Sequence, residues 1–124
     1  MRDLQPMIEE LVMRGADDWV MAAEVAWIAE SIGEARCADP IRELSIALIR
    51  RVLENELMEI GEVGDGGFFE WGLPIDEAVE RADRAWRDLD RVPNLGDVCW
   101  LENTEKGARL AEQIFEQRTY GGER

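Results

Sequence analysis

The residues able to do chemistry in this chain are mostly carboxylic acids: 28 aspartates and glutamates stand against 14 lysines and arginines, and there is no histidine. Without histidine, Ser-His-Asp and Cys-His nucleophilic arrangements cannot be built, and the commonest zinc ligand is missing. Acid–base catalysis would have to run on carboxylates alone. With so many of them, some pair stands at any chosen spacing, so spacing assigns no catalytic residue and no metal ligand. No cofactor is implied. The run Gly64-Asp65-Gly66-Gly67 lacks the following Lys-Ser or Lys-Thr, and the following helix, that a phosphate cradle requires, and it reads as a turn.

The remaining reactive or sticky groups are two cysteines and five tryptophans. Cys37 and Cys99 lie 62 positions apart with no C-x-x-C spacing, which predicts buried thiols in a reducing compartment. Most tryptophans fall on apolar stripes and are expected in the core. Trp19 is the exception, beside Asp17 and Asp18 and off its helix's stripe; Phe68, next to the glycine turn, is a second surface aromatic. Asp17, Asp18, Trp19, Asp65, Phe68 and Glu70 are therefore the candidate partner contacts.

The formal charge of −14 is spread evenly: 13 acids and 6 bases up to residue 60, then 15 and 8 after it, leave −7 in each part. Such a field repels nucleic acid and anionic lipid and attracts basic proteins, at rates that fall with salt. Met1 to Pro6 hold no charged start followed by an apolar run, and nowhere do eighteen apolar residues follow one another. A soluble cytoplasmic protein is expected, with no membrane partner and with homodimerisation left open.

A chain of 124 residues suits one domain, here 1–124. Leu4, Met7, Ile8, Leu11 and Val12 predict a short helix over 3–14 that stops at Gly15. Asp17 or Asp18 would cap a second helix, 18–32, with Met21, Val25, Ile28 and Ile32 inward, joined by Val20 and Trp27. Asp39-Pro40 opens a long helix, 40–56. Alternation on both sides of the glycine turn predicts a β-hairpin over 57–73. A helix over 76–90 buries Val79, Ala82, Trp86 and Leu89 and pairs Glu77 with Arg81, Glu80 with Arg84 and Asp83 with Arg87 outside. Val98 to Leu101 reads as a short strand covered on both faces. Thr104 caps a last helix, 104–118, with Leu110, Ala111, Ile114 and Phe115 inward, and Tyr120-Gly121-Gly122 frays. The fold class is mostly α with a small β-hairpin, α+β.

This order of elements resembles a winged-helix domain with the hairpin as its wing. The passage from Leu48 to Gly61 (Leu-Ile-Arg-Arg-Val-Leu-Glu-Asn-Glu-Leu-Met-Glu-Ile-Gly) is similar to the helix-into-wing text of bacterial winged-helix regulators. Thr104-Glu105-Lys106-Gly107-Ala108-Arg109-Leu110-Ala111 resembles the Thr-x-x-Gly helix start that follows the wing in MarR-type and PadR-type regulators. Glu56 departs from that pattern, standing where those regulators usually have glycine. The resemblance implies DNA binding through the long helix, by Arg42, Arg50 and Arg51. At about 100° per residue, however, the last two point about 80° and 180° away from Arg42, and the turn holds Asp65 with no base. Phosphate neutralisation, the source of non-specific affinity, is thus poorly served.

The leading expectation is a non-enzymatic, winged-helix-like interaction domain whose acidity engages a basic protein, of inhibitor or immunity type. The alternative is a winged-helix DNA-binding transcriptional regulator, and a weaker one is a small carboxylate-dependent enzyme.

Overall fold

A computed structural model describes residues 3–121. Its elements run α1 (Gln5–Asp17), β1 (Val20–Met21), α2 (Ala22–Ser31), α3 (Ala38–Glu54), β2 (Met58–Gly64), β3 (Gly67–Glu70), α4 (Ile75–Leu89), β4 (Trp100–Asn103) and α5 (Glu105–Gly121). The strands form one antiparallel sheet in the order β1-β4-β2-β3. The class is α+β. The hairpin turns at Asp65 and Gly66, with Gly66 and Gly67 at φ 100° and 117°, a conformation that glycine adopts without a steric cost. It is not a free wing, because β2 is paired on both sides, to β3 and to β4.

The helices bury their apolar stripes in one cluster with the inward strand residues Val20, Met58, Ile60 and Leu101. Leu48, Trp86 and Ile114 belong to that cluster as expected, whereas Trp27 is 54% exposed, with the Arg14 guanidinium 4.8 Å from its ring centroid. The reason lies in α2 itself. It is apolar nearly all round, so periodicity left its buried face open, and packing chose Ala22, Val25, Ala26, Ile28 and Ala29. Ile32 and Phe115, also expected inside, are exposed, and Leu89 is half-buried.

Several boundaries moved for identifiable reasons. Helix α1 runs past Gly15, which is a close-approach glycine and not a stop: a Cβ there would strike the side chain of Asn103, whose Nδ2 donates to the Val12 carbonyl at 3.0 Å. The second helix starts later than expected because Val20 and Met21 pair with Leu101 and Trp100, and Glu24 then accepts the Met21 N–H at 2.9 Å. The last strand is shifted by two residues from the expected 98–101, since Val98 takes a left-handed φ of 71°; it is covered on one face, with Leu101 buried and Trp100 half-buried. Helix α5 continues to Gly121, past the expected 118, and Gly122 lies outside the described residues.

The Thr-x-x-Gly text has a local cause. The Thr104 hydroxyl donates to the Glu56 carbonyl at 2.6 Å and accepts the Gly107 N–H at 3.1 Å, and a Cβ on Gly107 would strike the Leu57 carbonyl oxygen. The first turn of α5 therefore rests directly on the turn between α3 and β2. In that turn Glu56 adopts φ 58°, a left-handed conformation that glycine would take at no steric cost.

Candidate docking surface on the open sheet

Strand register decides which side chains share the outer face. Across the sheet, Met21 stands opposite Trp100, Trp100 opposite Gly61, and Gly61 opposite Glu70. Glu59 pairs with Glu102 in the next row, and Val63 pairs with Phe68 toward the hairpin tip. All of these point away from buried Val20, Leu101 and Ile60, because successive strand residues alternate sides. Met21, Glu59, Val63, Phe68, Trp100 and Glu102 are half-buried and Glu70 is exposed, so this side meets solvent while the other meets the helices.

Trp19 joins the face from just before β1. Its Nε1 donates to Glu102 Oε1 at 3.2 Å, and its Cζ2 comes within 4.0 Å of where a Cβ on Gly67 would stand. The two candidate groups, Asp17, Asp18 and Trp19 on one side and Asp65, Phe68 and Glu70 on the other, thus meet on one surface. Trp19, Phe68 and Glu70 lie on it, while Asp17 and Asp18 at the end of α1 and Asp65 at the hairpin tip are exposed at its margins. Asp17, Asp18, Trp19, Met21 and Trp100 also line an open groove with Leu95, which is 80% exposed.

Glu59 is the electrostatic centre of the face. A hydrogen bond with Glu70, partial burial, and the charges of Glu70 and Glu102 together push its carboxyl up from 4.5 to about 7. Against Glu70, the Glu59 carboxyl therefore keeps its proton to higher pH than an ordinary glutamate. Sequence spacing missed Glu59, Glu102 and Trp100. The alternation of β2 offered a signal for Glu59, but the partners on β4 are invisible without the register. Among the described residues no group of three or more potential ligands could hold a metal ion.

Two of the three arginines of the DNA-binding expectation are drawn into ion pairs. Arg42 binds Asp39 at 2.9 Å and Asp83 at 3.2 Å, and Arg50 binds Asp76 at 2.7 Å. Arg51 is exposed. On α4, Glu80–Arg84 and Asp83–Arg87 form as expected at 2.6 and 3.2 Å. Arg81 turns instead to Glu62 at 3.0 Å and lies 4.0 Å from the Trp71 ring centroid. Cys99 is buried, which pushes its thiol up to about 12, while Cys37 is exposed, contrary to expectation; both are unbridged. Cys37 precedes α3 at φ 72°, in a link that crosses the surface.

Comparison with known proteins finds no family model, no curated protein and no solved structure that matches the chain. Among the described residues, no helix is long and apolar enough to cross a membrane.

Proposed function

We propose that this chain is a non-enzymatic, winged-helix-like interaction domain, in the cytoplasm, that binds a basic protein partner through the open face of its sheet, as an inhibitor or immunity-type antidote does. One observation carries the reading: none of the residues in the four strands is lysine or arginine, while the outer face combines Trp100, Phe68 and neighbouring Trp19 with Glu59, Glu70 and Glu102. Aromatic anchors beside carboxylates suit the stems and heads of lysine and arginine, through apolar contact, cation–π attraction and charge-assisted hydrogen bonds. The −14 charge would speed the encounter at low salt.

A DNA-binding regulator is the second reading, supported by the order helix, strand, helix, helix, hairpin. The ion pairs of Arg42 and Arg50 weigh against it. A carboxylate-dependent enzyme is the third; the elevated Glu59 beside Glu70 is the feature that favours it.

Titration of the fluorescently labelled protein with a nona-arginine peptide and with a duplex from upstream of its own gene separates the first two. Saturable peptide binding that is lost in Trp19→Ala and Phe68→Ala supports the docking reading. Saturable DNA binding below about 1 µM at physiological salt, weakening steeply as salt rises, would replace it with the regulator reading.

A further inference from the structure

Where β3 leaves β2 after Glu70, the sheet edge opens into a cavity of about 290 Å³ between β2, the end of α3 and the start of α4. Its walls are apolar: Leu53, Met58, Ile60 and Ala78 are all buried. Its polar rim is formed by Glu56, Glu59, Glu70 and Thr104, and no lysine or arginine lines it. An apolar hollow with a rim of one sign is complementary to a particular kind of guest, an aliphatic chain ending in a cation.

We propose that this cavity receives one lysine or arginine side chain of the basic partner, its methylene stem against Leu53, Ile60 and Ala78 and its charged head between Glu59 and Glu70. The proposal rests on the docking reading above and names the anchor at its edge. As the cation arrives, the protonated Glu59 carboxyl gives its proton to solvent, and the resulting carboxylate pairs with the incoming ammonium or guanidinium.

The charges acting on Glu59 are those of Glu70 from β3 and Glu102 from β4, and Glu56 from the turn after α3 lines the same cavity. Nearby cations are engaged elsewhere: Lys106 at the start of α5 donates to the Asn55 carbonyl at 2.8 Å, Arg50 holds Asp76 at the start of α4, and Arg81 holds Glu62. Among the described residues, no cation lines the cavity to do the work that a partner's cation would do. With no histidine present, no other side chain ordinarily titrates between pH 6 and 8 in a way that could mimic the effect.

The test uses the full chain with isotopic labelling and the probe n-butylammonium chloride, followed by NMR of the glutamate carboxyls and of the Leu, Ile and Ala methyls at pH 6 and pH 8. The parallel probe n-butylguanidinium distinguishes a lysine-like from an arginine-like guest, and ammonium chloride at equal ionic strength supplies charge without a stem. Saturable shifts confined to Glu59, Glu70, Leu53, Ile60 and Ala78 are expected. Binding should be about tenfold tighter at pH 8 than at pH 6, because Glu59 with a pKa of about 7 is roughly one-tenth ionised at the lower pH and nine-tenths at the higher. Glu59→Gln, which matches the protonated form in shape, should bind more weakly and equally at both pH values, with its circular dichroism unchanged. Shifts that never saturate or that spread over the helix-surface carboxylates would overturn the proposal, as would a pH step that survives in Glu59→Gln. Butylammonium binding in the cavity alongside failure of nona-arginine to bind would keep the cation site and reject the docking reading.

Discussion

Replacing Gly107 with alanine should destabilise the protein by about 2–4 kcal/mol, although alanine is the better helix former. At an open helical position the exchange would stabilise by about 1 kcal/mol. Here the added Cβ would strike the Leu57 carbonyl oxygen and lie 3.1 Å from its carbonyl carbon and 3.3 Å from Asn103 Oδ1. The Leu57 carbonyl cannot easily give way, since it accepts the Thr104 N–H at 3.0 Å and the Thr104 hydroxyl lies 3.1 Å from it. Relief therefore requires α5 to lift off the turn between α3 and β2. Overpacking of this kind costs about 1–3 kcal/mol, and each lost hydrogen bond adds about 1 kcal/mol. Urea unfolding followed by tryptophan fluorescence reads the difference directly. A midpoint equal to or above that of the parent protein would mean that α5 does not rest on the turn, and the account of the Thr-x-x-Gly text would be wrong.

The reverse experiment, Glu56→Gly, removes a side chain from a left-handed residue and should raise the thermal midpoint by an amount equivalent to about 0.5–1 kcal/mol; a lower midpoint would refute the strain assigned to that turn. Trp86→Ala should cost about 3–5 kcal/mol in denaturant unfolding, since Trp86 is 4% exposed, and Trp27→Ala less than about 1 kcal/mol; similar losses would contradict the packing described. Stability should fall as pH rises from 5 to 8. Unfolded Glu59 releases its proton near 4.5 and the folded residue only near 7, so the native state binds more protons in that window and loses its advantage as pH passes 7. Glu59→Gln should flatten the slope in urea titrations, and a slope that persists would place its origin elsewhere.

Much of the local architecture was written in local pattern. Helix α4 was legible because one face carries Ala78, Val79, Ala82 and Trp86 while the other is charged, and the Gly64–Gly67 text admits little but a hairpin turn. Trp27 was misread because α2 offers no polar face to exclude, and Gly15 because a glycine that ends a helix and one that admits Asn103 look alike in sequence. The candidate surface was half visible. Trp19, Phe68 and Glu70 could be singled out from their neighbours, but Glu102 and Trp100 could not.

By itself, then, the sequence determined the α+β composition, the hairpin, the acidity and the absence of histidine chemistry, all of which depend on residue type or on spacing within a turn or two. Only the tertiary structure decided that β4 inserts between β1 and β2, putting Glu59 opposite Glu102 and Trp100 opposite Met21. The physical reason is that a two-residue strand such as β1 has almost no pattern of its own. Its pairing with residues some eighty positions away is selected by the burial of Val20 and Leu101 together, a contact between distant segments whose stability no local periodicity encodes.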